Sequence, residues 1–315
     1  MNGRLAVPTA IEPACAALAL ALACATLGAQ TPVVQSDQRL RSSVEVTVVT
    51  ATVRDAEGKL AVGLPREAFE MFEDGKPVAI TQFTSERVPL GLGLLLDISE
   101  SMYGRKIKDA ENAVERFLLN LLAPTDAFFV MAFNHQPRLL FGWKTDPAGV
   151  HESLGRLYPT GSTAIYDAIS AAIPYLDRRP RERAALVLIT DGADTASDIT
   201  LHDLRPALVR SDAFVYAIAI DTPGTQAIAQ KVSVATLSEI TNQSGGRTEV
   251  VRDTADLETA TANIADELNH QYVLGYSSPT PGDGQYHSIR VRVSRDGYKV
   301  RARAGYVAAR RNDSR

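Results

Sequence analysis

The run Leu90-Gly91-Leu92-Gly93-Leu94-Leu95-Leu96, closed by Asp97, constrains this chain more than any other feature. It offers no polar face, so a strand made from it must be covered on both sides. Parallel sheets with helices on their two faces need such strands. Beyond it, Ile107, Ala110, Val114, Phe117, Leu118 and Leu121 recur three and four apart, the spacing of an amphipathic helix. Asp126 to Phe133 reads as a second strand and Arg138 to Trp143 as a third. Their short connection, Asn134 to Pro137, suits an antiparallel neighbour. Helices are expected over Thr163 to Leu176, Ile199 to Arg210, Ala227 to Thr241 and Ala255 to His270. Strands are expected over Ala184 to Ile189, Phe214 to Ile220 and Arg247 to Val251. This alternation predicts an α/β fold, a doubly wound, mainly parallel sheet, over residues 88–270.

Both flanks change texture. Val44, Val46 and Val48 alternate with Glu45 and Thr47, Asp74-Gly75 marks a hairpin, and Val78 to Phe83 reads as its returning strand. After Gln271, strands are expected over Tyr272 to Tyr276, Tyr286 to Val293 and Tyr298 to Ala304, with Asp296-Gly297 as a second hairpin turn. The leading segment, residues 42–86, is too short to bury a core of its own. It is expected to pair with residues 271–308 into one small β unit beside the α/β domain. Residues 309–315 are charged and are expected to fray.

The chain starts with another character. Arg4 precedes an Ala/Leu-rich stretch, Ala14 to Leu27, and the small residues Gly28 and Ala29 follow. That order is the form of a secretory signal peptide, placed over residues 1–29. Both cysteines, Cys15 and Cys24, fall inside it. An alternative reading makes a lipoprotein acylated at Cys24. Residues 30–41 read as a polar linker. The expected address is exported, periplasmic or extracellular, with no membrane span in the mature chain. Lys plus Arg number 33 against 37 Asp plus Glu, a net charge of −4. That balance excludes a strongly basic nucleic-acid binder.

Three places carry chemistry, each just beyond a predicted strand or just before a helix. They are Asp97-Ile98-Ser99-Glu100-Ser101, Thr160-Gly161-Ser162-Thr163 and Thr190-Asp191-Gly192. Ligands of doubly wound sheets bind outside the carboxyl ends of the strands, where the strand order reverses. Asp97, Ser99, Ser101, Thr163 and Asp191 offer oxygen atoms alone, which suits a hard cation such as Mg²⁺ or Ca²⁺. Two carboxylates only balance a divalent ion, so an incoming carboxylate is a natural further ligand.

These residues resemble the metal-ion-dependent adhesion site of von Willebrand factor type A domains. The likeness covers roughly Val88 to His270. It implies that Ser99, Ser101 and Thr163 contact the metal, with Asp97 and Asp191 acting directly or through water. Glu100, Ser162 and Gly192 would form the rim. Glu100 departs from the pattern, which commonly has Gly there. The flanks resemble the narrower group of VWFA-related domain proteins of Acidobacteria, through Gly63-Leu64-Pro65-Arg66-Glu67-Ala68-Phe69, Glu73-Asp74-Gly75-Lys76, Tyr272-Val273-Leu274-Gly275-Tyr276 and Ala304-Gly305-Tyr306.

Several features read more plainly. Thr163 also reads as a helix N-cap, Asp167 as a helix-face residue, and Asp194 with Asp198 as a surface acidic loop. Gly91-x-Gly93 lies within a strand and lacks the third glycine of a dinucleotide fingerprint. None of the five histidines sits in a catalytic motif, and Ser244-Gly245-Gly246 lacks the glycine that precedes a nucleophile elbow. The expectation is an exported, non-catalytic protein that uses its cation to capture an acidic group on a protein or surface ligand. The alternatives are an envelope scaffold or regulatory module with a structural metal, and a hydrolase that activates water with it.

Overall fold

In the computed structural model, four strands precede the α/β segment: β1 (Val46–Arg54), β2 (Phe69–Glu73), β3 (Lys76–Val78) and β4 (Ile80–Thr84). The segment itself runs β5 (Leu90–Asp97), α1 (Arg105–Leu121), β6 (Ala127–Phe133), β7 (Pro137–Lys144), α2 (Val150–Leu154) and α3 (Ile165–Leu176). It continues through β8 (Arg183–Thr190), α4 (Leu201–Arg210), β9 (Phe214–Ile220), α5 (Val234–Ser244), β10 (Thr248–Val251) and α6 (Leu257–Asn269). Then follow β11 (Tyr272–Ser277), β12 (Tyr286–Val293), β13 (Lys299–Ala302) and β14 (Gly305–Val307). The structure describes residues 46–178, 183–221, 233–280 and 282–309. The segments expected as signal peptide and linker, both cysteines, residues 310–315 and the first part of the helix expected over Ala227 to Thr241 lie outside the described residues.

A strand with no polar face belongs in the middle of a sheet, where both sets of its backbone groups are paired. β5 takes that place, and all eight of its residues are buried. The six-stranded sheet has the order β10-β9-β8-β5-β6-β7. Every neighbouring pair is parallel except β6 with β7. Side chains of α1 and α6 cover one face through Val114, Phe117, Leu257 and Ile264. Those of α3, α4 and α5 cover the other through Ile169, Leu204 and Leu237. Gly93 lets that second face close down. A Cβ there would stand 2.5 Å from Phe129 Cζ and 2.6 Å from Leu186 Cδ1. The chain leaves β5 toward β6 and β7, then crosses to β8 on the other side. The order therefore reverses at β5, and a crevice opens above its carboxyl end.

The flanking strands make two four-stranded sheets, β13-β1-β11-β4 and β14-β12-β2-β3. Each mixes strands from both ends of the chain: β1 pairs with β11, and β2 with β12. Val49, Ala51, Met71, Leu274 and Tyr276 fill the core that they share. Two expectations are corrected here. The strand expected over Val78 to Phe83 is divided, because β3 stays beside β2 while β4 crosses to β11. Asp296-Gly297 does not close a hairpin either, since β12 pairs with β2 and β14 while β13 pairs with β1. The physical reason is common to both. One sheet alone leaves an apolar face in water, and a chain that switches sheets buries both faces. Asp74-Gly75 does form its hairpin. Both residues have positive φ, 49° and 77°, as a tight turn with the strands' own twist requires.

Buried Glu267 on α6 ties the two-sheet unit to the α/β segment. It accepts hydrogen bonds at 2.9 Å from Arg54 of β1 and from Arg247, and further bonds from Arg301 of β13 and Tyr216. No helix among the described residues is long and apolar enough to cross a membrane.

Candidate metal centre

β5 ends at Asp97, and backbone bonds fix the chain as it leaves the sheet. Ile98 N–H donates to Phe133 O at 2.7 Å, Thr160 N–H to Ile98 O at 2.9 Å, and Glu100 N–H to Gly161 O at 3.0 Å. The 160–163 loop is thereby laid along the loop after β5. On its other side, the N–H groups of Thr195 and Ala196 donate to Thr163 O at 2.8 and 3.1 Å. Three loops far apart in sequence become one rim tethered by its own main chain.

The side chains converge inside that rim. Asp97 is fully buried; its Oδ1 accepts from Ser99 N–H at 2.8 Å and its Oδ2 from the Thr190 hydroxyl at 2.5 Å. Ser99 Oγ lies 3.1 Å from Ser101 Oγ, and Ser101 Oγ donates to Asp191 Oδ1 at 2.6 Å. Lys106 Nζ reaches in from the first turn of α1 and donates to Asp191 Oδ2 at 2.5 Å. Thr163 is buried beside Gly192, where a Cβ would come within 3.2 Å of Thr163 Oγ1. Above these groups opens a cleft of about 590 Å³, with the exposed residues Glu100, Tyr103 and Ser162 along its edge. Burial pushes the Asp97 carboxyl up to about 7, against the hydrogen bonds from Thr190 and Ser99, and the nearby Asp191 adds to the rise.

The donor set fits a hard divalent cation. Adjacent ligands of an octahedral Mg²⁺ stand about 2.9 Å apart, from metal–oxygen distances near 2.05 Å. The Ser99–Ser101 and Ser101–Asp191 separations, 3.1 and 2.6 Å, bracket that edge. Among the described residues the cluster sets two buried carboxylates beside the Lys106 ammonium, so with Asp97 ionised it would carry negative charge that a cation would balance.

Two plainer readings are corrected. Thr163 is not the N-cap of α3: the helix begins at Ile165 after Ala164, and no side chain of the cap residue bonds to it. Its open N–H groups are met from a remote loop, Tyr166 by Asp194 and Ser197 at 3.1 Å each, and Asp167 by Ser197 at 3.2 Å. Asp194 is therefore a half-buried helix cap rather than part of a surface acidic loop. A local sequence pattern does not reveal a cap supplied from 28 residues away. Asp167 in turn accepts from the N–H groups of Asp198 and Ile199, locking the same loop to α3.

Lys106 was not singled out by the sequence reading, yet a signal was present. Arg105 and Lys106 open α1, and its first turn holds no acidic residue. Cations at a helix amino end oppose the helix dipole. Arg105 is answered within the helix by Asp109 at 3.1 Å, whereas Lys106 turns to Asp191, and a cation so placed marks a residue held there for another purpose.

Comparison with known proteins agrees with this architecture. Residues 92–193 match the family model of the von Willebrand factor type A domain. The chain is similar to inter-alpha-trypsin inhibitor heavy chain H2 of Mus musculus, 27% identical over 136 residues, covering 39% of this chain and 14% of that relative. It thus spans about a seventh of the relative's length (14%). Among solved structures, a von Willebrand factor type A protein from Catenulispora acidiphila superposes with a TM-score of 0.51 at 16% identity, over 87% of this chain and 76% of that one. Proximal thread matrix protein 1 from the mussel byssus, in a form with a zinc-occupied MIDAS motif, superposes with a TM-score of 0.51 at 16% identity, over 61% and 48%. At such identities the likeness is one of fold. Residues 92–193 thus match the von Willebrand factor type A domain, and the six-stranded sheet that contains them has the fold of these structures.

Proposed function

We propose that this protein is exported and non-catalytic, and that it captures an acidic group on a partner protein or surface ligand through a divalent cation, Mg²⁺ or Ca²⁺. The hydroxyls of Ser99, Ser101 and Thr163 and the carboxylates of Asp97 and Asp191 would hold the ion, directly or through water. When bound, the cation supplies an electrophilic position that a partner carboxylate completes. The protein's own groups do the rest. Thr190 and Ser99 N–H orient the Asp97 carboxylate, and the main-chain bonds between the loops keep the hydroxyls at their spacing. Near the cleft, Tyr103 and Tyr158 are 64% and 69% exposed and meet edge to face at 6.0 Å between ring centroids. Exposed tyrosines beside a polar centre supply the apolar contact area common to interface hot spots.

The observation that carries this reading is the convergence of Ser99, Ser101 and Asp191 oxygens at the floor of an open cleft, with Asp191 buried beneath the two serines. The test is a pull-down from envelope extract with and without chelator. A partner retained with cation and lost with chelator supports capture; partners indifferent to chelator contradict it. Glu100→Gly sharpens the test. Removing a rim carboxylate should tighten binding of an acidic partner most at low salt, where screening is weakest.

A further inference from the structure

Glu73-Asp74 from the leading flank and Ala304-Gly305-Tyr306 from the trailing one meet in the two-sheet unit. Glu73 closes β2, Asp74 turns the hairpin, and His287 lies on β12 opposite Tyr306. His287 Nδ1 faces two carboxylates, Asp74 Oδ2 at 2.8 Å and Glu73 Oε1 at 3.7 Å. All three ligand atoms lie within 4.8 Å of one another. The other ring nitrogen, Nε2, stands 3.1 Å from both oxygens of Asp283.

We infer that Glu73, Asp74 and His287 form a second metal site, of the zinc class, which clips the leading hairpin to the trailing strands.

The geometry argues for it step by step. Tetrahedral zinc with ligands near 2.05 Å sets them about 3.3 Å apart. The two separations at His287 Nδ1, 2.8 and 3.7 Å, fall on either side of that value. With a metal bound, Asp283 would hold the proton on Nε2 and leave the Nδ1 lone pair for the ion that separates it from the carboxylates. A ligating histidine is commonly held this way by a carboxylate on its far nitrogen. Asp74 is equally well fixed. Its Oδ1 accepts from Ser288 N–H at 2.9 Å and from the Ser288 hydroxyl at 3.1 Å, which leaves Oδ2 directed at His287. Thr280 Oγ1, 3.4 Å from His287 Nδ1, stands on a fourth side.

An independent observation points the same way. Glu73 is 2% exposed; its Oε1 accepts from the hydroxyls of Ser278 at 2.7 Å and Thr280 at 3.1 Å, while its Oε2, with the Tyr276 side chain nearby, makes no hydrogen bond. Tyr276 Oη and Tyr306 Oη are also buried without a hydrogen bond. The Tyr306 ring lies 5.6 Å from the His287 ring, centroid to centroid. A buried carboxylate with an unmet oxygen is costly unless a cation meets it. One imidazole and two carboxylates suit Zn²⁺ better than the hydroxyl-rich set above β5, which suits Mg²⁺ or Ca²⁺. The role follows from topology. Glu73 and His287 are joined across 214 residues of chain, and no cysteine lies among the described residues to bridge the two ends. On binding, any proton on Nδ1 passes to solvent and the metal takes its place, so binding energy becomes folding energy of the two-sheet unit.

The experiment uses the full chain carrying Asp97→Ala, stripped with chelator and titrated with ZnCl₂ by calorimetry and thermal shift. That background removes the site above β5, so the two metals report separately. One zinc should bind, the melting temperature should rise, and zinc-edge absorption should show one nitrogen among oxygen ligands. Asp74→Asn, which keeps an oxygen for Ser288, should lower zinc affinity at least about tenfold, and Asp283→Asn by about 10–100-fold. No zinc binding in the Asp97→Ala chain, or binding unmoved by both asparagine variants, would overturn the site. His287 would then serve as an imidazolium bridging Asp74 and Asp283.

Discussion

Lys106 Nζ lies 2.5 Å from Asp191 Oδ2, and its side chain is only 14% exposed while that of Asp191 is fully buried. The protein thus carries a tethered cation on one of the carboxylates assigned to the metal. An ammonium and a divalent ion on the same carboxylate repel one another, so the lysine would compete with the proposed metal for Asp191. Lys106→Met keeps the stem and removes the charge. Cation affinity should rise about tenfold, equivalent to about 1.4 kcal/mol, while the metal-stripped protein should melt earlier because buried Asp191 then loses the Lys106 ammonium. Calorimetry with Mg²⁺ and Ca²⁺ reads the first effect, a melting curve in chelator the second. A fall in cation affinity would mean that Lys106 orients Asp191 for the metal instead.

Asp97 and Thr163 should separate charge from contact. A ligand that binds only the folded state stabilises it by about 2.7 kcal/mol at a hundredfold excess over Kd. The native chain should show such a gain with cation and Asp97→Ala should not. Thr163→Ala removes one neutral oxygen, so partner capture should weaken more than folding. Thermal-shift titrations of the three proteins, with partner pull-downs, check both points. An equal cation response in native protein and Asp97→Ala would discard the assignment.

Glu267 predicts acid sensitivity at the junction between the sandwich and the sheet. Burial raises its carboxyl pKa, but Arg301, Arg247 and Arg54 more than reverse that and hold it below the ordinary value of 4.5. A lowered folded pKa contributes stability above the unfolded value, and that contribution is lost as pH falls through about 4.5 toward the folded value. Melting temperature should therefore drop more steeply below this point in the native chain than in Glu267→Gln. Glu267→Ala should cost about 3 kcal/mol, the low end for breaking a buried pair, because the arginine side chains remain 21–27% exposed.

Gly93→Ala should cost about 1–3 kcal/mol by overpacking. Its Cβ has no room between Phe129 and Leu186, and both lie in neighbouring strands of the same sheet. Denaturant midpoints of the two proteins measure it. Unchanged stability would mean that Phe129 shifts at no cost.

Removing residues beyond His270 should unfold the leading segment. β11 is the partner of both β1 and β4, and β12 of β2. Hydrogen exchange over Val46–Arg54 and Ile80–Thr84 should become rapid in the truncated chain, while β5 keeps its protection. Unchanged exchange in β1 and β4 would show that they hold together without the trailing strands.

The fold class could be read from the sequence because it depends on local pattern. An apolar run such as Leu90 to Leu96 has no polar face, so helices must cover it, and the helical spacing from Ile107 to Leu121 supplies one. The residues of the polar cluster were legible too, since Asp97 closes β5 and Ser99, Ser101, Thr163 and Asp191 stand in the turns just beyond or before regular elements. What tertiary structure alone decided was partnership. Nothing local separates Val78 from Ile80, yet they enter different sheets, because burial of both faces is a property of the whole sandwich. Nothing local assigns Asp194 to the start of α3, or Lys106 to Asp191, or His287 to Asp74, because each contact depends on where distant strands end. Periodicity along a chain specifies which face a residue presents; only the packed elements specify what it meets there.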